Sequence, residues 1–383
     1  MSSIDDLKRL TTPPPTGWEP GAEWNGNSGH VTTPPMTAGE APDDDTWNHV
    51  LEKFGLDPSK YAIDGPVRHS IWSVPGHGMQ SSYRARIVER PERSFDVERL
   101  LEDMYLDPED VPIGRGQVWR TVQIGDTHIG KGALDGGGSD QIIQQWKRSV
   151  TAALDCAPRA GIHLAFLGDL IEGQVSQGGA NIAGNDLTLT EQLRVARHLV
   201  LWTIQRAMEV APRVIVSATA GNHGETTRVQ NRPFTDSYDL DIVHAVQQAI
   251  ELTDLADFVD FYYPEEGSAH VTYQVGDTVF TCAHGHLFRG KMAGAEKWWA
   301  GMAVNGREPG AAQILLAGHF HSMQISNFTA DRWIMFGPSL EQQSTWFAEK
   351  TGTTARAGVL TFDTEHGTPM NITINSGDPH YHS

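Results

Sequence analysis

Residues 121–130 read Thr121-Val122-Gln123-Ile124-Gly125-Asp126-Thr127-His128-Ile129-Gly130. A β-branched, apolar run ends abruptly at Gly125, and a carboxylate and an imidazole follow two residues apart. That is how a buried strand delivers ligands to the loop at its carboxyl end, where open α/β sheets hold their chemistry. Asp-x-His alone is a common pair. Its weight here comes from four further polar clusters downstream, most of them after an apolar run.

The 383 residues suffice for one large domain plus an accessory module with a substantial buried core. An apolar fraction of 39% with 11 Trp fits a globular enzyme rather than a disordered chain. The start, Met1 to Asp6, lacks the basic and apolar regions of a signal peptide. No run of about 18 apolar residues occurs, so no membrane span is expected. Cys156 and Cys282 are too few for a disulfide framework or a thiolate metal cage, and a cytoplasmic compartment is the simplest reading, the host's if a phage encodes the chain. A net charge of −19 argues against a wide basic surface that grips nucleic acid by counterion release. It does not exclude a nuclease, because bound divalent cations invert the local field.

Residues 1–45, with Pro13-Pro14-Pro15, Pro34-Pro35 and Asp43-Asp44-Asp45, read as a disordered tail. Residues 46–110 read as a small α/β module and linker, a site where a protein partner could dock. Trp47, Val50, Leu51 and Phe54 fall at helical spacing between Thr46 as cap and Gly55 as stop. Tyr83, Ala85 and Ile87 alternate with Arg84, Arg86 and Glu89 like a half-buried strand. The arginines there, Arg90 and Arg93 included, are interleaved with acids and read as a salt-laced surface. Leu101 to Gly116 reads as linker, and residues 111–383 as the main domain.

In that domain a Gly-rich stretch from Lys131 to Asp140 lacks the Gly-Lys-Ser/Thr ending of a phosphate-binding loop. Helical spacing covers about 140–156, 190–210 and 236–252, and strands are expected at 163–167, 214–220, 271–273, 278–283, 314–317, 333–336 and 359–362. Polar clusters follow several of these: Gly168-Asp169-Leu170-Ile171-Glu172, Gly221-Asn222-His223-Gly224-Glu225, His284-Gly285-His286 and Gly318-His319-Phe320-His321. Asp126, His128, Asp169, Asn222, His284, His319 and His321 make a mixed imidazole and oxygen set that suits Mn²⁺, Fe²⁺, Zn²⁺ or Ni²⁺. Seven ligands exceed the needs of one ion, so two ions sharing a bridging carboxylate is the economical arrangement. Such a pair, about 3.5–4 Å apart, can hold a hydroxide and clamp an in-line displacement at phosphorus.

Taken in order, Asp126-x-His128, Gly168-Asp169-x-x-Glu172, Gly221-Asn222-His223, His284-Gly285-His286 and Gly318-His319-x-His321 resemble the five blocks of the calcineurin-like metallophosphoesterases, over about residues 116–365. The resemblance implies a four-layer αββα sandwich. It implies one ion on Asp126, His128, Asp169 and His321, and another on Asp169, Asn222, His284 and His319, with Mn²⁺ the first choice and Fe, Zn, Ni or Mg the alternatives. His223 would act on the leaving-group oxygen or stabilise phosphate charge, oriented by Glu172 where many members carry Asp. Glu225 is the second candidate for that orienting role. The choice of His284 over His286 rests on the family pattern.

The Asp-Thr-His-Ile-Gly and Gly-Asn-His blocks resemble most the double-strand-break repair nucleases and related phage proteins of this superfamily. They imply a phosphodiesterase that cuts DNA by a metal-bridging hydroxide. The second reading is a phosphatase or phosphodiesterase for nucleotides or other small phosphoesters, favoured by the acidity and by the short stretch after the core. A third is a scaffold that kept the fold and lost catalysis. The loop from Gly173 to Leu187 and the segment Lys291 to Arg307, with Trp298-Trp299, are candidate substrate walls, although adjacent tryptophans more often pack a core.

Overall fold

The structure is a computed structural model that describes residues 21–24, 28–37, 41–74, 78–89, 96–102, 117–132, 137–157, 159–229, 232–341, 349, 352 and 356–377. The chain divides into two compact units, Met1–Glu92 and Arg93–Ser383.

Among its described residues the first unit is a five-stranded antiparallel sheet of β1 (Ala22–Trp24), β2 (Ser28–Thr32), β3 (Met36–Thr37), β4 (Tyr61–Val74) and β5 (Gly78–Glu89) with one helix, α1 (Asp44–Lys53). β5 pairs with β2 and β3 along one edge and with β4 along the other. Val31, Ala85 and Ile87 meet Trp47, Val50 and Leu51 of α1 in a small core. The expected disordered tail therefore does not hold at Ala22–Trp24, Ser28–Thr32 and Met36–Thr37, where three strands lie. Their support is backbone pairing to a distant strand, with Val31 as the buried anchor of β2, and composition does not register that. Residues 1–20 of that tail fall outside the described residues, as do Arg90, Arg93 and positions 103–116 and 133–136. The cap of α1 is also corrected. Asp43 accepts from the Thr46 amide at 2.8 Å, so Thr46 stands inside the first turn.

In the second unit α2 (Val97–Glu102) buries Val97 in the main core and pairs Glu98 with Arg194 at 2.7 Å, so the stretch read as the module's end and linker begins as part of the larger unit. Next come β6 (Trp119–Ile124), α3 (Gly138–Leu154), β7 (Gly161–Phe166), α4 (Leu189–Met208), β8 (Val214–Ala218), α5 (Tyr238–Ile250) and β9 (Val259–Tyr262). Strands β6 to β9 are parallel neighbours, and β15 (Val359–Glu365) and β16 (Thr368–Asn375) add antiparallel to the edge at β6. The second sheet runs β10 (His270–Val275), β11 (Thr278–Ala283), β12 (Ile314–Ala317), β14 (Arg332–Phe336) and β13 (Gln324–Thr329), with α6 (Met292–Val304) between β11 and β12 in the chain.

Side-chain alternation builds the layers. In β7, Ile162, Leu164 and Phe166 face α3, α4 and α5, while Ala165 and the following Leu167 meet Phe280, Cys282, Ile314 and Leu316 of the second sheet. In β12, Leu315 and Ala317 turn the other way and pack with Ala295 and Trp299 of α6. Both sheets are thus covered on both faces, which is why the parallel strands read as unbroken apolar runs. The result is the αββα sandwich that the resemblance implies. Trp299 belongs to the core, fully buried, with its indole N–H donating to Pro309 O at 2.5 Å, whereas Trp298 stays partly exposed.

One buried ion cluster ties β15 to its neighbours. Asp363 accepts from Arg120 Nε at 2.9 Å, Arg159 Nη2 at 3.0 Å and Asn371 Nδ2 at 2.9 Å. Burial pushes its carboxyl up, but bonds from Arg159, Arg120 and Asn371 outweigh that and bring it down to about 2. Asp363→Ala should cost about 3–5 kcal/mol in urea unfolding at pH 7, because it strands two half-hidden guanidinium groups. A depressed carboxyl stabilises above its unfolded value of about 3.9 and loses that contribution as pH falls through its folded value. The gap between wild type and variant should therefore narrow as pH falls from 4 toward 2; a constant gap would count against the ion cluster as its source.

Candidate metal centre

Five loops leave the carboxyl ends of β6, β7, β8, β11 and β12, where the sequence clusters stand. Among the described residues eight non-glycine positions take positive φ, and five of them are expected ligands: Asp126 (51°), His128 (49°), Asp169 (52°), His319 (69°) and His321 (52°). Left-handed backbone costs a non-glycine residue of order 1–3 kcal/mol and persists where its surroundings over-determine it. Here they do. Thr127 and His128 amides donate to Asp169 O at 2.9 and 3.0 Å, Ser339 Oγ donates to Asp126 O at 2.6 Å, and the His319 amide donates to Asp126 Oδ2 at 2.7 Å.

The side chains converge as two groups that share a middle. Asp126, His128 and His321 form one set with ligand atoms within 4.8 Å of one another; Asp169, His284 and His319 form a second; His128, Asp169 and His223 form a third between them. His284 Nδ1 is 2.7 Å from Leu167 O, which turns its Nε2 toward Asp169 Oδ2 at 3.0 Å and Asn222 Oδ1 at 3.2 Å. His286 stands outside these groups, its ring centroid 5.4 Å from that of His284, and its buried Nδ1 has no hydrogen-bond partner. All seven expected ligands and His223 are therefore brought to one place.

Glu172 lies deeper than an orienting partner of one imidazole would. Its Oε2 stands 3.1 Å from His223 Nδ1 and 3.2 Å from His128 Nδ1, so one carboxylate serves both rings. Glu225 instead faces Arg228 and Arg232 at 2.9 and 2.7 Å. Two further carboxylates were not singled out from the sequence. Asp239, in the first turn of α5, accepts from the amides of Asp169 (3.1 Å), Leu170 (2.9 Å) and Gly221 (2.9 Å), and clamps two ligand loops together. From sequence it reads as an ordinary acid at a helix start. Glu341 lies 3.4 Å from His321 Nδ1 and accepts from Lys131 Nζ at 2.9 Å. Its signal was present: Gly337-Pro338-Ser339-Leu340-Glu341 also follows an apolar strand, β14.

The electrostatics fit cations at this place. Burial works against charge on every group here, yet Asp169 and Glu172 hold His223 up to about 9, Asp169 and Asp126 hold His284 up to about 9, and Asp126 and Glu341 hold His321 up to about 10. His319 and His286, by contrast, are pushed down to about 4 and about 3 by burial and by the neighbouring His284. The carboxylates thus demand positive charge, which divalent ions supply while leaving imidazoles neutral as ligands. Buried Asp126 Oδ1 accepts no hydrogen bond, and the Nε2 atoms of His128 and His321 face each other at 3.3 Å. Two ring nitrogens turned on each other beside an open carboxylate oxygen make an arrangement that a cation relieves.

Close approach fixes Gly221. A Cβ there would stand 2.1 Å from Asp169 Oδ1 and 2.3 Å from its amide nitrogen. Gly221→Ala should displace that carboxylate and weaken metal binding by about 10–100-fold, read by titration with Mn²⁺. Unchanged affinity would mean that Asp169 is free to shift without loss.

No family model matches the sequence, and no curated protein is similar to it. Solved structures are. The chain is similar to Vps29 of Entamoeba histolytica complexed with Zn²⁺, at 11% identity over 64% of this chain and 87% of that one, with a TM-score of 0.30. It is similar to a Streptococcus pneumoniae protein described as a predicted phosphoesterase, at 13% identity over 65% and 84%, TM-score 0.29. It is also similar to the phosphopantetheinyl hydrolase of Mycobacterium tuberculosis, at 10% identity over 62% and 94%, TM-score 0.27. Among the described residues no helix is long and apolar enough to cross a membrane.

Proposed function

We propose that this chain is a metal-dependent phosphodiesterase, a nuclease that hydrolyses DNA. The observation that carries this is the convergence of Asp126, His128, Asp169, Asn222, His284, His319 and His321 from five strand ends, with His223 against them. Asp126, His128 and His321 would hold one divalent ion and Asn222, His284 and His319 another, with Asp169 reaching both. When bound, the two ions, Mn²⁺ as first choice and Fe, Zn, Ni or Mg as alternatives, supply Lewis acidity to the phosphoryl group and to the attacking water.

The chain's own residues do the rest. Glu172 holds His223 by Nδ1, which leaves Nε2 to give a proton to the departing oxygen. Half-buried His286 lies beside the second ligand group with its Nδ1 unengaged, and as a neutral ring it still has one N–H to offer a phosphate oxygen. Asp239 and Ser339 keep the ligand loops in register. The net charge of −19 supports a second reading, a phosphatase or phosphodiesterase for nucleotides or other small phosphoesters.

Metal-free protein reloaded with Mn²⁺ should cleave labelled single- or double-stranded DNA as well as bis-p-nitrophenyl phosphate, with His223→Ala as the blank. Cleavage of the small ester alone would move the second reading ahead. No hydrolysis of either would leave only a scaffold.

A further inference from the structure

We infer that the face of α6 beside the metal centre is a track for a single-stranded nucleic acid, on which Arg289, Lys297 and Arg307 take phosphates and Trp298 takes a base. This deepens the nuclease reading and rests on it. An open depression of about 800 Å³ is lined by Leu287, Arg289, Lys297, Trp298, Met302 and Arg307 among others. Leu287 follows His286 directly, and the Phe288 amide donates to Gly285 O at 2.9 Å, so the rim is tied to a ligand loop by a tight turn. A strand with its scissile phosphate at the histidines therefore has this depression within reach of its flanking nucleotides.

Charge sets the place apart. The chain has 48 acidic residues against 29 lysines and arginines, yet the lining holds three cations and no carboxylate. Elsewhere in this unit many arginines meet a carboxylate: Arg120 and Arg159 with Asp363, Arg197 with Asp241, Arg213 with Asp260, Arg228 and Arg232 with Glu225. Arg289, Lys297 and Arg307 are exposed, and their side chains have no hydrogen-bond or ion-pair partner among the described residues. In so acidic a protein three unmatched cations in one concavity favour an anion from outside, and guanidinium groups suit phosphate. Trp298 is braced by Phe288 at 5.2 Å and His270 at 5.3 Å between ring centroids, and part of it lines the depression. An aromatic face next to phosphate-binding cations accepts an unpaired base of any identity, which selects a single strand over a duplex.

The test is fluorescence anisotropy with the full-length protein and a hydrolysis-resistant phosphorothioate oligothymidylate of about twelve nucleotides, within the usual span of such sites. The combined variant Arg289→Ala/Lys297→Ala/Arg307→Ala should bind at least about tenfold more weakly and flatten the dependence of log K on log salt by about 2, as loss of three single-strand phosphate contacts requires. Trp298→Leu should weaken binding by about tenfold with the salt slope kept. A wild-type melting temperature shows that each variant folds, and Lys297→Glu, on an exposed position, gives the same direction without loss of side-chain bulk. Wild-type affinity and slope in the combined variant would overturn the track, as would a wild type that does not bind the strand. If that wild type still hydrolyses bis-p-nitrophenyl phosphate, the phosphoesterase reading survives; failure on that ester sinks it separately.

Discussion

Asp169→Asn is expected to fold, to carry fewer than two metal ions per chain by elemental analysis, and to lose at least about 10²-fold in turnover. Its two oxygens have different tasks. Oδ1 accepts from the His223 amide at 2.6 Å, and Oδ2 faces His284 Nε2 at 3.0 Å. An asparagine fills the same volume but has one oxygen, so either an amide N–H opposes the His223 amide or it faces the second ligand group. Nothing else in the middle of the site can replace the missing charge. Asp239 stands behind the loop, and its oxygens already accept from three amides. The buried Asp239 carboxyl is itself raised to about 6, by burial first and by Asp169 second, so the two carboxylates repel. Against burial, His284 and His223 hold the Asp169 carboxyl well below its usual range and outweigh that repulsion, so chelator-treated Asp169→Asn should melt below chelator-treated wild type, while the metal-loaded wild type melts highest, because ligands that bind only the folded chain stabilise it. Full metal content with normal turnover in the variant would remove Asp169 from the bridging position.

The buried strands and the candidate ligand clusters at their ends were legible for a common physical reason, whereas the four-layer sandwich came only from the family resemblance. Parallel strands covered on both faces must be apolar throughout, so each one ends visibly where Gly125, Gly168, Gly221 or Gly318 lets the chain turn and a polar side chain follows. The packing of α3 against one sheet was likewise written in its Ile142, Ile143, Trp146, Val150 and Leu154 stripe. Two kinds of feature were not legible. Strands β1 to β3 are short and held by pairing, β1 with β2 and both β2 and β3 with β5, and they leave no periodicity to read. Asp239 acts through backbone amides from two other loops, so its role exists only after the chain has folded. Glu341 follows β14 in a Gly-Pro-Ser turn with no histidine beside it, so its place against His321 shows only in the fold.

Glu172 separates orientation from ligation. His223→Ala should keep both metals and lose about 10²–10⁴ in turnover, as removal of a positioned proton donor does. If Glu172 only oriented His223, then Glu172→Gln would have the same signature of full metal and slow turnover. Its Oε2 also stands 3.2 Å from His128 Nδ1, and His128 Nε2 points to the first ligand group. Glu172→Gln should therefore do both: lower turnover and weaken metal binding about 10–100-fold at the group containing Asp126 and His321, as loss of a carboxylate behind a metal-bound imidazole does. The double variant His223→Ala/Glu172→Gln adds the decisive comparison. Its turnover should fall little below that of His223→Ala once metal is saturating, because the proton donor is already gone, while its metal affinity should match that of Glu172→Gln alone. Glu172→Asp, one methylene shorter, cannot reach both rings from the same backbone position and should resemble Gln on one readout only, which identifies the ring it keeps. Wild-type metal affinity in both Glu172 variants would reduce the residue to a partner of His223.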